Sequence, residues 1–156
     1  MKILVTGAAG FIGFNFCELL MQSTKYKIVG IDNLNDYYDV NLKKKRLHIL
    51  KKYKNFFFSK IDINDNSSLE RIFKKNKFDF VLNLAAQAGV RYSIQEPRKY
   101  VESNISGFFN IIDNSKKYKI KRLFYASSSS VYGENSNFPL KEKEKISPKN
   151  IYGLSK

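Results

Sequence analysis

The run Met1-Lys-Ile-Leu-Val-Thr-Gly-Ala-Ala-Gly-Phe-Ile-Gly13 constrains the fold more than any other stretch of the chain. Ile3, Leu4 and Val5 form a short apolar run suited to a strand buried in a parallel sheet. Gly7, Gly10 and Gly13 follow, each three residues after the last, and the apolar run from Phe14 to Met21 predicts a helix. A strand that turns through glycines into a helix collects unpaired backbone N–H groups at one point, and the missing Cβ atoms let a phosphate approach them. The stretch therefore predicts a seat for the pyrophosphate of a dinucleotide. An acidic residue is expected about 20 residues further on. Asp32 stands there, at the end of a second apolar run, Ile28-Val-Gly-Ile31. A carboxylate in that place accepts hydrogen bonds from the adenosine ribose and repels a 2′-phosphate, which favours NAD over NADP. A glycine-rich turn alone is also an ordinary connection. Strand, helix and spaced aspartate together decide against that reading.

The chain has 156 residues, of which 43% are hydrophobic, enough for one domain with a real core. It is too short for a nucleotide domain plus a substrate domain. Its formal net charge is +14, from 28 Lys and Arg against 14 Asp and Glu. Such an excess raises the question of nucleic acid or membrane binding. However, Lys43-Lys-Lys-Arg46, Lys51-Lys52, Lys74-Lys75 and Lys116-Lys117 are dispersed over helix-like segments away from the glycine turn. They read as solvated helix faces, with no nucleic-acid motif among them, and a basic surface of this kind attracts anionic substrates. Cys17, the single cysteine, reads as a small core residue of the first helix, which fits a reducing, cytoplasmic setting. No signal peptide is visible, and no apolar run reaches the ~18 residues of a membrane span. His48, the only histidine, has no nucleophile or metal-ligand partner near it in sequence, and no metal site is expected.

Taken in order, the chain predicts strands at Lys2–Thr6, Lys27–Ile31, Phe56–Ile61, Asp79–Leu84 and Arg122–Ala126. Helices are predicted at Phe11–Met21, at Leu42–Tyr53 with Leu42, Arg46, Ile49, Leu50 and Tyr53 on one face, at Asn66–Lys75, and from Pro97 to Lys117. Strands alternating with helices make a Rossmann-type, doubly wound α/β fold with a mostly parallel sheet of about five strands. The polar, tyrosine-rich stretch after Asp32 reads as a loop over the adenosine side. Small residues follow the fourth strand, Ala85-Ala-Gln-Ala-Gly89, where open α/β sheets let a ligand approach the strand ends. A lysine- and proline-containing loop leads on to Asn150.

Tyr152-Gly-Leu-Ser-Lys156 sets a phenol and an ammonium four residues apart, on one face of a helix. A nearby ammonium favours the phenolate and lowers a tyrosine pKa from its usual ~10, so that the tyrosine can act as a general base. A hydroxyl must hold the substrate oxygen, and the run Ser127 to Ser130 after the fifth strand supplies candidates.

Several longer stretches add a resemblance. They are the glycine turn, Gly30-Ile-Asp-Asn-Leu-Asn-Asp-Tyr-Tyr-Asp39, Leu84-Ala-Ala-Gln-Ala-Gly-Val-Arg-Tyr-Ser93 and Tyr125-Ala-Ser-Ser-Ser-Ser-Val-Tyr-Gly133. In these the chain resembles the extended short-chain dehydrogenases of the NAD-dependent epimerase/dehydratase group, specifically UDP-glucuronate 4-epimerases. The resemblance covers essentially the whole chain, but only the N-terminal half of such a protein. It implies an NAD-binding domain over 1–156, without the substrate domain. It also implies Ser128 as the catalytic hydroxyl, Tyr152 as the base, Lys156 as its activator, and Ser129 as an aid. Gly7, Gly10, Phe11, Ile12, Gly13, Asp32, Asn33, Leu84, Ala85, Ala86 and Asn104 would line NAD together with Tyr152 and Lys156. Asp62 and Ile63 would mark the adenine, although Asp62 equally suits a strand-end cap. Asn104 equally suits a tie between helices, and Arg91 serves either the substrate's charged groups or a surface ion pair.

The implied reaction passes a hydride from sugar C4 to NAD and back to the opposite face of the 4-keto sugar, converting UDP-glucuronate to UDP-galacturonate. The implied partner is a nucleotide sugar, with no nucleic acid and no membrane, and full-length relatives would be homodimers. Dehydratases of the same branch carry Asp-Glu directly after the catalytic hydroxyl. Here Ser129-Ser130 stand in that place, which argues against a dehydratase. A four-epimerase for another UDP-sugar remains open, as does a non-catalytic module that holds NAD or, through its basic charge, nucleic acid. The stub at 152–156 is too short to form a helix by itself, so the expectation for this polypeptide alone is a poor or inactive enzyme.

Overall fold

The computed structural model describes residues 1–23, 25–134 and 138–156; residues 135–137 of the loop expected before Asn150 lie outside the described residues. Five strands form one sheet: β1 (Lys2–Thr6), β2 (Lys27–Asp32), β3 (Phe56–Lys60), β4 (Phe80–Asn83) and β5 (Arg122–Tyr125). Their order is β3-β2-β1-β4-β5, and every pairing is parallel. Ile3 registers with Ile28 on one side and Phe80 on the other. The order reverses at β1, between β2 and β4, and opens a crevice at the C-terminal strand ends.

Alternation along the strands sends neighbouring side chains to opposite faces, so the sheet carries two cores. Ile3, Val5 and Ile28 pack with Cys17 and Met21 of α1 (Phe11–Met21) and with Leu47 and Leu50 of α2 (Val40–Leu50). Leu4, Val29 and Ile31 pack with Leu69 and Phe73 of α3 (Asn66–Asn76), and with Ile111 of α6 (Phe108–Lys117). Each fully buried aliphatic side chain of this kind contributes roughly 1.5–3 kcal/mol. The Cys17 thiol is fully enclosed, and burial pushes its pKa up to about 12. A native sample near neutral pH should therefore resist a thiol-specific disulfide reagent, with full reaction only after denaturant. Rapid labelling of the native chain would put Cys17 outside the core.

Helix starts follow local capping. The Asp39 carboxylate accepts from Asn41 N–H (2.8 Å) and begins α2, while Asp65 accepts from Ser68 N–H (3.0 Å) and begins α3. The Asp39 cap starts α2 earlier than its apolar pattern predicts and turns a different face inward. Lys43, Leu47 and Leu50 are buried, whereas Leu42 and Ile49 are exposed. The helix predicted from Pro97 to Lys117 is three pieces in one line: α5 (Pro97–Tyr100), a wide π turn (Val101–Gly107) and α6. A short helix, α4 (Val90–Gln95), and a 3-10 turn (Ser129–Tyr132) occupy stretches expected to be irregular.

The stub at 151–154 is helical after all, as α7 (Ile151–Leu154). Its nucleation cost is offset by tertiary contacts. The Asn150 side chain accepts from Gly153 N–H (2.8 Å), Gly153 is buried, and the Tyr152 ring packs edge-on against Tyr100 with centroids 6.0 Å apart. Among the described residues, no helix is long and apolar enough to cross a membrane.

Candidate active site

The glycine turn is built by close backbone approaches. Gly7 has φ +67°, in the left-handed region that suits glycine, and its carbonyl accepts from Gly10 N–H (2.9 Å). Gly13, buried in the first turn of α1, lies so near that a Cβ there would collide with the Gly7 carbonyl oxygen. Thr6 draws the chain after β4 towards this turn. Its Oγ1 donates to Asn83 Oδ1 (2.6 Å) and accepts from Leu84 N–H (3.1 Å) and Ala85 N–H (2.9 Å).

A cleft of about 220 Å³ opens beside the turn, at the C-terminal strand ends. Gly7, Gly10, Asp32 and Asn33 line it, as do Asp62, Ile63, Leu84, Ala85 and Ala86. Asp32 is buried. Its carboxylate accepts from Ala9 N–H (3.1 Å) in the turn and from Leu34 N–H (2.9 Å). Asn33 donates to Asp62 (2.8 Å), and this bond joins the ends of β2 and β3. Phe11 and Ile12 do not line the cleft; they are 70% and 62% exposed at the start of α1.

Two residues stand out among the cleft residues that the sequence motifs do not point to. The sequence groups Lys43 with a solvated lysine run away from the turn, and the structure corrects that grouping. Lys43 is buried, its ammonium donating to the Asn35 carbonyl (2.8 Å) and side chain (2.7 Å) and lying 4.5 Å above the Tyr38 ring. Burial lowers its pKa, against the opposing pull of the Asp32 and Asp36 carboxylates. Arg46 of the same run donates to the Ala9 carbonyl (3.3 Å), in the turn itself. The cause is the phase of α2, which the Asp39 cap sets. The second residue is Gln87. It is buried at the cleft wall, with its side-chain amide beside the Tyr100 hydroxyl. A glutamine among small residues after a buried strand was the available signal.

Beyond Ala85 and Ala86 lies a smaller recess, lined also by Asn83, Asn104, Tyr125 and Lys156. Those two alanines belong to both cavities, so the recess adjoins the cleft. Asn104 sits in the π turn and holds this junction. Its Oδ1 accepts from Gln87 N–H (2.7 Å), and its Nδ2 donates to the Gln87 carbonyl (2.9 Å) and to Ser155 Oγ (2.9 Å). Lys156 lies past the end of α7, where its N–H donates to the Gly153 carbonyl (3.3 Å) in the tightened pattern of a helix end. Tyr152 lies on α7, and Lys156 lies two residues beyond Leu154. Burial lowers the Lys156 pKa. Ser128 Oγ accepts from Ser130 N–H (3.2 Å) and caps the 3-10 turn. Ser129 and Arg91 are exposed, Arg91 on α4, and neither lines the cleft or the recess.

A parallel sheet in the order 3-2-1-4-5, a glycine turn after its first strand and a Tyr-x-x-x-Lys segment beyond its fifth define an extended short-chain dehydrogenase/reductase of the epimerase/dehydratase type. The chain belongs to the family described as GDP-mannose 4,6 dehydratase, which it matches over residues 4–156. It is 46% identical to Protein CapI of Staphylococcus aureus, over 100% of this chain and 46% of that protein. It is 45% identical to a UDP-glucuronate 4-epimerase of Thermodesulfobacterium geofontis, over 98% of this chain and 47% of that protein. Among solved structures it superposes on the UDP-glucuronic acid 4-epimerase of Bacillus cereus in complex with UDP-glucuronic acid and NAD. That match has a TM-score of 0.92 and 35% identity, over 99% of this chain and 48% of the other. The UDP-Glc/GlcNAc 4-epimerase of Campylobacter jejuni gives a TM-score of 0.90 at 28% identity, over 99% of this chain and 45% of that one. The chain spans about half the length of the relatives it matches.

Proposed function

We propose that residues 1–156 are the NAD-binding part of a nucleotide-sugar 4-epimerase, one that converts UDP-glucuronate to UDP-galacturonate. The observation that carries this reading is the shared wall at Ala85 and Ala86, which sets the recess of Lys156 against the cleft of Asp32 and the glycine turn. The residues present fit a dinucleotide. The glycine turn leaves backbone open to an anion at the start of α1, and Asp32 offers a buried carboxylate. When bound, NAD supplies the acceptor for a hydride from a sugar carbinol and returns it.

The chain's own residues would do the rest. Asp32 and Asn33 take the ribose, and Asp62 and Ile63 flank the adenine. Ala85 and Ala86 leave room for the nicotinamide half. Tyr152 would move the proton at the sugar 4-oxygen, and Ser128 would hold that oxygen through its O–H. Lys156, partly withdrawn from solvent in the recess, would supply the positive charge on that side of the site. Ser129-Ser130 offer no acid for the removal of water, so epimerisation is preferred to dehydration. The relatives named UDP-glucuronate 4-epimerase, 45% identical in Thermodesulfobacterium geofontis and 43% in Arabidopsis thaliana, support the uronate. A solved UDP-glucose 4-epimerase at 34% stands level with the Bacillus enzyme at 35%, so another UDP-sugar is the second reading.

Calorimetric titration of NAD into the chain, with UDP-glucuronate then added to the same cell, tests the proposal. Saturable NAD binding is the expected result. Absence of any NAD binding would end the cofactor assignment. Binding to nucleic acid that falls steeply with salt and ignores NAD would replace it.

A further inference from the structure

Residues 33–39 form a strap between β2 and α2, and both its ends are tied down. Asp32 holds Leu34 N–H and Asp39 holds Asn41 N–H, while the Lys43 ammonium grips Asn35 from below. The middle of the strap reaches across the cleft. Tyr37 Oη donates to the Ala88 carbonyl (2.9 Å), and its ring packs on Tyr92 with centroids 5.0 Å apart. The far bank is firm. Tyr100, fully buried, shares its single hydroxyl proton between the carbonyls of Ala88 (2.7 Å) and Gly89 (2.6 Å), and Lys99 donates to Tyr92 Oη (2.6 Å). Gly89 has φ +101°, and a Cβ there would stand 2.8 Å from Tyr37 Oη, so the bare glycine makes room for the contact.

Sheet order gives this contact its meaning. β1 lies between β2 and β4, so a side chain that leaves the end of β2 and lands beyond β4 crosses the end of β1, which is the glycine turn. Tyr37 lines the cleft yet is 41% exposed, which puts it at the outer rim.

We propose that Tyr37 is the latch of a strap that closes over the dinucleotide cleft and sets how fast the cofactor enters and leaves. The proposal rests on the NAD reading above. A cofactor regenerated within each cycle has no need to exchange between cycles, so a closure that slows exchange suits the chemistry. The latch is one neutral hydrogen bond and one ring contact, together able to hold back an opening equilibrium by on the order of tenfold. A latch obstructs both directions of travel. Its removal speeds entry and exit alike and moves the equilibrium constant little. A residue that only touches the ligand changes exit alone.

Stopped-flow fluorescence with NADH on the 156-residue chain separates these cases. Tyr37→Ala should raise the association and dissociation rate constants about tenfold each, with Kd moving by less than about threefold. Tyr37→Phe keeps the ring and loses the hydrogen bond, so it should fall between. Unchanged rates in both variants, or a rise in dissociation alone, would overturn the latch. If the unsubstituted chain binds no dinucleotide, the NAD reading fails first and the latch with it. Normal binding with kinetically silent variants strikes the latch only. A thermal midpoint for Tyr37→Phe equal to that of the unsubstituted chain keeps the rates clear of unfolding.

Discussion

Replacement of Gly13 by alanine is expected to cost about 3 kcal/mol of stability, at the upper end of overpacking effects, because the obstruction is backbone. The added Cβ would run into the Gly7 carbonyl oxygen, and its next neighbours are the Gly7 carbonyl carbon and Ala8 Cα. None of these can swing aside as a flexible side chain would. The first turn of α1 must instead lift from the end of β1, and with it go the N–H groups of the turn. For a chain of this size the thermal midpoint should fall by roughly 6–12 °C. NAD affinity should fall at least tenfold, as order of magnitude, because the anion seat is that same backbone. Circular dichroism melts and calorimetry on Gly13→Ala read the two effects. A midpoint unchanged by the substitution would show that α1 does not press on the turn.

The second large effect belongs to Asp32→Ala. The carboxylate satisfies Ala9 N–H and Leu34 N–H from a buried position. Each N–H left unpaired costs roughly 1–3 kcal/mol, so a destabilisation of about 2–6 kcal/mol is expected. The same deletion removes the acceptor proposed for the ribose and frees the near end of the strap. NAD affinity should drop by at least on the order of a hundredfold, the loss of about two hydrogen bonds to a charged acceptor. Denaturant titration gives the first number and calorimetry the second. Full NAD affinity in a folded Asp32→Ala chain would remove the cofactor assignment.

The features legible in the sequence were those set by near neighbours. Strands β1 to β5 announce themselves as short apolar runs. The turn is legible because glycines at fixed spacing leave few alternatives, and Asp32 because it closes the next strand. The parts that were not legible depend on partners far along the chain. α4 has no apolar stripe of its own and is held by packing on α7, some 60 residues away. Lys43 looks like any surface lysine until the Asp39 cap fixes the phase of α2 and turns it inward. Tyr37 meets Ala88 across 51 residues, and Asn104 meets Ser155 across the same separation. No local pattern encodes such meetings. Ser128 was found by resemblance, and the structure adds that its hydroxyl caps its own turn.

Asn104 bears on how such a protein can drift over generations. Its one amide bonds to Gln87 on both backbone groups and to Ser155, so cleft and recess share a single side chain. Aspartate matches its shape without the donor, leucine matches its size without donor or acceptor, and glutamine is a carbon too long. Any exchange there disturbs both halves of the site at once and offers selection no separable gain. A lineage that changes its preferred sugar must therefore do so at positions free of that double duty. The junction is expected to stay fixed while its surroundings vary.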